Sequence, residues 1–260
     1  MVTAIFPAAG QGKRMQAGMN KVFMELAGMP IFIRTLLKFS GCDAIDKLIV
    51  VVGRDEVDFI KGIIGRVPGL KPYKVVAGGS ERQYSVRNGL AAVDPETEVV
   101  LVHDAARPLV SEETILATIE AAKKVGGAVA GVPAKNTIKV CDDNAMVQST
   151  PDRRFLWEVQ TPQGFRLNTL MKAHELAARE DFLGTDEASL VERMGEPVQI
   201  VMSDYKNIKI TTPEDIVIAE AFLRSDMAGR AINTVQEKMN DIVGMANVLK
   251  DKFFNKRVEW

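Results

Sequence analysis

Two glycines one residue apart, Gly10 and Gly12, stand in the run Pro7-Ala8-Ala9-Gly10-Gln11-Gly12-Lys13-Arg14-Met15 and are followed by a further cation, Lys21. Small residues let backbone N–H groups come close to a ligand, and glycine takes φ > 0 freely, so such a loop can turn successive amides toward an anion. Arg14 and Lys21 add fixed positive charge, which suits a polyphosphate better than a sugar hydroxyl. Two familiar phosphate motifs are excluded. The Gly-Lys pair at 12–13 is followed by Arg14 rather than Ser or Thr, and Met15 stands where a dinucleotide fingerprint needs its third glycine. Taken alone, the loop fits an ordinary strand-to-helix turn equally well.

The elements that must position this loop are legible from hydrophobic periodicity. Val2 to Phe6 directly precedes it as a first strand. Strand-length apolar runs at Lys47 to Val52, Tyr73 to Val76, Val99 to His103 and Gly127 to Val132 alternate with helical patterns at Pro30 to Phe39, Val57 to Ile64 and Ser111 to Lys124. This alternation predicts an α/β fold, a doubly wound and mostly parallel sheet, whose ligands sit beyond the carboxyl ends of the strands. Ser80-Glu81-Arg82-Gln83 has the form of a capping box opening a helix through Val86 and Leu90. Asp104 falls at the end of a buried strand, where a carboxylate can hold a cation or hydroxyls but also fits a turn cap.

After residue 132 the pattern changes. Asn136 to Cys141 and Ala145 to Gln148 flank Asp142-Asp143-Asn144, which is turn chemistry, so a hairpin arm over about 136–155 is expected to leave the sheet. The chain returns through a helix at Leu167 to Arg179, a segment at Asp186 to Met194, and strands at Val198 to Met202 and Asn207 to Ile210. Thr212-Pro213-Glu214-Asp215 then opens a helix to about Arg224. From Ile232 through Val235, Met239, Ile242, Ala246 and Leu249 to Phe253, apolar residues recur at spacings of three and four, which predicts an extra C-terminal helix.

Composition bounds the function. The 260 residues fit one large domain, or one with an appendage, and the net charge of −1 supplies no global field toward nucleic acid or an anionic membrane. Cys42 and Cys141 are far apart, as are His103 and His174, so neither a zinc site nor a disulfide framework is expected and a reducing cytoplasm fits. No signal peptide and no membrane-spanning run is read.

Several blocks in order along the chain together resemble the polyol-phosphate cytidylyltransferase family. They are Pro7 to Gly10 with Gly12, Arg14 and Met15; Asn20-Lys21; Gly78-Gly79 with Arg82 and Ser85-Val86; and His103-Asp104-Ala105-Ala106-Arg107-Pro108. Thr161-Pro162-Gln163, Thr185-Asp186-Glu187-Ala188-Ser189 and Asn207-Ile208-Lys209-Ile210-Thr211 complete the set, within a span from residue 3 to about 223. The resemblance is strongest to the branch that acts on 2-C-methyl-D-erythritol 4-phosphate in non-mevalonate isoprenoid synthesis. Tyr84 departs from the family pattern, in which an aspartate precedes the serine.

The resemblance implies a Rossmann-like nucleotidyltransferase domain over 1–225, a helical extension over 226–260, and transfer of CMP from CTP to the acceptor phosphate with release of pyrophosphate. It implies that Arg14, Lys21 and Lys209 are catalytic. Pro7, Ala8, Ala9, Gly10, Gly12, Gly79, Ser85, Asp104 and Ala105 are implied around the nucleotide, with the backbones of Ala8, Ala9 and Gly79 and the Ser85 side chain reading cytosine. Asp104, Arg107, Thr137, Arg153, Thr161, Thr185 and Lys209 are implied around the polyol phosphate. Mg²⁺ is expected, held mainly by the CTP phosphates with Asp104 as a further ligand. The arm is expected to cross to a second subunit of a homodimer, where Arg153 completes the neighbour's site. The alternatives that remain are a ribitol-5-phosphate cytidylyltransferase, a sugar-1-phosphate nucleotidyltransferase, and a nucleotide-sensing module without turnover.

Overall fold

Strand β1 (Val2–Pro7) buries alternate residues on opposite faces of one sheet, Ala4 and Phe6 on one side and Ile5 on the other. The structure is a computed structural model and describes residues 1–10 and 24–226. Gly12, Arg14, Lys21 and the apolar stripe from Ile232 to Phe253 lie outside the described residues. Met1–Asp215 forms one compact unit, and the residues from Ile216 onward group separately.

A two-residue ribbon, β2 (Glu25–Leu26) and β3 (Met29–Pro30), leads into α1 (Ile31–Ser40). Pro30, expected near the first helical position, is the N-cap residue itself. Next come β4 (Lys47–Val52), α2 (Val57–Ile64), β5 (Tyr73–Ala77), α3 (Arg82–Leu90), β6 (Val99–Val102), α4 (Glu112–Val125) and β7 (Gly127–Pro133). The ends of α4 illustrate how sequence sets boundaries. Ser111 accepts a hydrogen bond from the Thr114 N–H at 3.2 Å, Glu112 and Glu113 face the positive end of the helix dipole, and Gly126 at φ +108° stops it.

The arm follows as β8 (Val140–Cys141) and β9 (Val147–Ser149), turning on Asp142, whose Oδ1 accepts from the N–H groups of Asn144 and Met146 at 3.0 Å each. Then come β10 (Trp157–Arg166), α5 (Leu167–Arg179), α6 (Glu187–Arg193) and β11 (Gln199–Met202), and residues 213–226 are helical.

The sheet order is β11-β7-β10-β6-β1-β4-β5, parallel throughout except for β10, which runs antiparallel to both β6 and β7. Both faces are covered. Leu48, Val50, Val99 and Leu101 join Phe32, Leu36 and Ile115 on one face, while Ile49, Val51, Val100 and Val102 join Val86, Leu170 and Leu190 on the other. Double burial is why these strands read as unbroken apolar runs, each such side chain contributing about 1.5–3 kcal/mol when taken from water.

Two expectations are corrected, and one strand is added. The Ser80 capping box does not form: Glu81 is the N-cap residue without a side-chain cap, and Gln83 instead donates to the Phe182 carbonyl at 3.0 Å and accepts from the Gly184 N–H at 2.9 Å. Residues 207–210 are not a strand, because they cross the carboxyl ends of the sheet, with the Ile210 N–H bonded to the Ala106 carbonyl at 2.9 Å. The ten-residue β10 was not expected at all.

Candidate active site

β1 lies between β4 and β6, and the chain visits β4 before it crosses to β6, so the strand order reverses beside β1 and leaves a crevice at the carboxyl ends. The Ala8 N–H bonds to the Val51 carbonyl and the Gly78 N–H to the Val52 carbonyl, both at 2.7 Å, drawing the first loop and the loop after β5 together. Only glycine fits there. A Cβ on Gly78 would stand 2.6 Å from the Ala9 Cβ, and one on Gly79 would stand 2.5 Å from the Tyr84 Cβ.

Ser85 folds the same loop. Its hydroxyl accepts from the Gly79 N–H at 3.1 Å and donates to the Glu81 carbonyl at 3.0 Å. Tyr84 leaves this arrangement intact, its ring turned toward the Arg87 guanidinium, 5.3 Å from centroid to Cζ.

A pocket of about 180 Å³ opens here, lined by Pro7, Ala8, Ala9, Gly10, Gly79, Ser85, Asp104, Ala105 and Lys209 together with Ser80, Glu81, Arg82 and Ala106. A second, of about 260 Å³, is lined by Arg107, Thr161, Thr185, Gln160, Gln163 and Asp186 and shares Arg82, Asp104 and Lys209 with the first. The two pockets thus meet at one charged wall. Thr137 and Arg153 line neither: both are exposed on the arm, where the Arg153 guanidinium donates to the Lys135 carbonyl at 2.7 Å.

Asp104 is the centre of that wall. Its Oδ2 is 2.9 Å from Lys209 Nζ and 3.5 Å from Arg107 Nε, and its Oδ1 is 3.5 Å from Arg82 Nε. Burial opposes ionisation of this carboxyl, but Lys209, Arg82 and Arg107 overcome it and hold Asp104 well below the usual carboxylate range. Arg107 is fixed in turn by donating to the Asn207 carbonyl at 2.8 Å, and Arg82 donates to both oxygens of Glu187, at 2.9 and 2.7 Å.

A buried relay sets the Asp104 backbone. The Asp104 N–H donates to Thr161 Oγ1 at 3.0 Å, and His103 Nδ1 lies 3.0 Å from the same hydroxyl. His103 Nε2 is 3.0 Å from the Arg107 carbonyl, which can only accept, so Nε2 carries the proton and Thr161 donates to Nδ1. Burial pushes the imidazole down to about 4 and keeps it neutral, packed against Phe39 at 4.7 Å. Thr161 reaches this position because β10 breaks register with β7 between Val159 and Gln163.

Glu187, Gln163 and Asn207 are site-building residues to which sequence reasoning gave no role, and Arg82 appeared only as part of a motif. Gln163 donates to Asp186 at 2.7 Å and accepts from the Ala188 N–H at 3.2 Å, tying α6 to β10. Asp186, rather than Thr185, caps α6, accepting from the Ser189 N–H at 3.0 Å. Asn207, fully buried, donates to Gln160 at 2.9 Å and to the Thr161 carbonyl at 2.8 Å. The only signal for Arg82 and Glu187 was their place in the Gly79 and Thr185 blocks.

Comparison with known proteins places the chain in a family. The family model for 2-C-methyl-D-erythritol 4-phosphate cytidylyltransferase matches residues 2–225. The enzyme of that name from Caldanaerobacter subterraneus subsp. tengcongensis is 48% identical over 224 residues, covering 86% of this chain and 99% of that protein. The one from Geobacter metallireducens is 47% identical over 230 residues, covering 87% and 99%. Among solved structures, the 4-diphosphocytidyl-2C-methyl-D-erythritol synthase of Anaerococcus prevotii superposes with a TM-score of 0.77 at 36% identity, over 86% of this chain and 98% of that one. The Thermus thermophilus cytidylyltransferase gives 0.70 at 32% identity, over 85% and 98%. With the match extending over nearly the whole of these relatives, the chain belongs to the 2-C-methyl-D-erythritol 4-phosphate cytidylyltransferase family.

Proposed function

We propose that the chain transfers CMP from CTP to the phosphate of 2-C-methyl-D-erythritol 4-phosphate, giving 4-diphosphocytidyl-2-C-methyl-D-erythritol and pyrophosphate, as its family does in non-mevalonate isoprenoid synthesis. The observation that carries the reading is the wall of Arg82, Asp104 and Lys209 shared by two pockets. One pocket is built from backbone and small side chains, which suits a base and ribose. The other carries Arg107, Thr161 and Thr185, which suits a ligand with phosphate at one end and hydroxyls along its length.

The chemistry needs no general base. The nucleophile is a phosphate monoester whose second pKa lies near ~6, so it arrives as an anion at neutral pH. The barrier is the approach of that anion to a triphosphate, and the chain's contribution is positioning and positive charge. Lys209 and Arg107 lie beside Asp104 to receive the acceptor phosphate, with Asp104 holding both in place and accepting from acceptor hydroxyls. Arg14 and Lys21 are assigned to the triphosphate, Lys21 at the α-phosphoryl group. Lys209 is half-exposed at the wall, which leaves its ammonium open to a ligand while it stays paired with Asp104.

Among the described residues no group of three acidic, His or Cys side chains gathers as a metal cage. A divalent ion carried by the CTP phosphates fits the donor set, with Asp104 as the carboxylate on the wall that the two pockets share. Among the described residues its Oδ1 has the longer contact, 3.5 Å to Arg82 Nε, and keeps acceptor capacity for such an ion. When bound, the ion supplies neutralisation of the phosphate charge.

The arm is assigned to a homodimer. Ile138, Val140, Met146, Val147 and Phe155 are exposed on it, and a short ribbon of this kind gains stability by pairing with another surface. Among the described residues no helix is long and apolar enough to cross a membrane, and Cys42 and Cys141 are free thiols, which suits a cytoplasmic location. Phosphorus NMR of the protein with CTP, Mg²⁺ and methylerythritol phosphate tests the reaction. A new pair of diphosphate resonances with loss of the phosphomonoester signal is expected; an unchanged monoester signal would refute it.

A further inference from the structure

Glu187 places a carboxylate in the interior with 1% of its side chain exposed, and both of its oxygens are taken by one nitrogen of Arg82. The partners are 105 residues apart, one opening α3 beside the nucleotide pocket and the other opening α6 beneath the acceptor pocket. Arg82 continues to Oδ1 of Asp104 through its Nε. The result is a line, Glu187 to Arg82 to Asp104 to Lys209, running through the wall between the pockets.

Stability alone is a poor reason for such a line. Taking two charges out of water costs several kcal/mol per ion, and a well-packed apolar pair of similar volume generally serves the fold as well. What apolar side chains cannot do is fix the rotation of a carboxylate. Asp104 has cations on both oxygens, and Arg107 is held independently by the Asn207 carbonyl. Arg82 is held instead by Glu187, and α6 is itself pinned through Gln163. A guanidinium with one nitrogen held by both oxygens of a buried carboxylate and another facing Asp104 is also not free to swing onto the incoming phosphate.

We propose that Arg82 and Glu187 are positioning residues for the polyol phosphate: Glu187 fixes the Arg82 guanidinium, Arg82 fixes the Asp104 carboxylate, and the acceptor is thereby aimed at the nucleotide. This rests on the reaction proposed above. It predicts a loss that falls mainly on acceptor use, because the loop that holds the base is built from Gly78, Gly79 and Ser85 without help from Glu187, although Arg82 and Asp104 line both pockets.

The test is a double-mutant cycle of Arg82→Met, Glu187→Met and the double variant in the full-length protein, read by thermal unfolding and by initial rates with each substrate varied. Arg82→Met alone strands a buried carboxylate and loses stability; the double variant regains it, because no charge remains unpaired. If the pair positions the acceptor, the refolded double variant keeps its KM for CTP within about twofold while kcat/KM for methylerythritol phosphate stays down on the order of 10²-fold. Arg82→Lys, which keeps the charge but not the fork, shows a partial loss of the same kind. Recovery of acceptor kcat/KM together with stability in the double variant would overturn the proposal, as would equal losses for both substrates. The parent protein is assayed alongside. Silence from the parent would remove the reaction and this assignment with it, whereas an active parent with a fully active double variant would remove this assignment alone.

Discussion

Replacing Thr161 with Val keeps the shape of the side chain and deletes the one oxygen that joins β10 to the Asp104 backbone. No cavity is created, so the cost comes from groups left without partners. The Asp104 N–H loses its acceptor and His103 Nδ1 its donor, both in a buried setting. Each orphaned buried group costs about 1–3 kcal/mol, so Thr161→Val is expected to lower unfolding free energy by about 2–6 kcal/mol, a large share of the ~5–15 kcal/mol typical of a whole domain. Thr161→Ser keeps the oxygen and gives up one methyl, for about 1 kcal/mol. Urea denaturation at constant m-value measures both, and initial-rate kinetics reads the displaced Asp104 as a fall in kcat/KM of at least about tenfold for Val but not for Ser. If Thr161→Val unfolds within about 0.5 kcal/mol of the parent, the hydroxyl does not bridge these groups and the relay is wrong.

The two buried imidazoles make stability depend on pH. Burial holds both His103 and His174 down at about 4, so the unfolded chain binds their protons first as pH falls from the ordinary value near 6.5. Their contribution is fully present above about 6.5 and is lost toward 4, with a slope of about 1.4 kcal/mol per pH unit for each histidine. Denaturation midpoints at pH 7 and pH 5 check this, and His174→Leu, which leaves His103 in place, halves the slope; an unchanged slope would count against it. Gly78→Ala forces a Cβ to 2.6 Å from Ala9 and is expected to weaken CTP binding about tenfold by calorimetry, given the ~1–3 kcal/mol cost of overpacking. Lys21→Ala is expected to lower turnover far more than CTP affinity, since a transition-state contact acts on rate. Arg153→Ala subunits mixed with Lys21→Ala subunits regain partial activity if the arm completes the partner's site; strict inactivity of the mixture would argue that Arg153 serves its own subunit.

The apolar strands were legible because both faces of the sheet are buried, which leaves little room for any other pattern at Leu48 to Val52 or Val99 to Val102. β10 was not, and the reason is chemical. Glu158, Gln160, Thr161 and Gln163 give it the composition of a loop, yet Gln160, Thr161 and Gln163 find buried partners on Asn207, His103, Asp186 and α6. A strand that builds a site departs from the pattern of a strand that only fills a core. Asn207 to Ile210 failed in the opposite sense, alternating like a strand while spanning the strand ends. The motif blocks brought Asp104, Arg107 and Lys209 to attention, but the pairing of Arg82 with Glu187 depends on α3 and α6 meeting in space, which no local pattern encodes.

The most direct measurement is pyrophosphate release with CTP and Mg²⁺, run in parallel with methylerythritol phosphate and ribitol 5-phosphate as acceptors. Release with methylerythritol phosphate and a background rate with ribitol 5-phosphate is the predicted result. Release with ribitol 5-phosphate alone, or silence with both while CTP still binds, would contradict it.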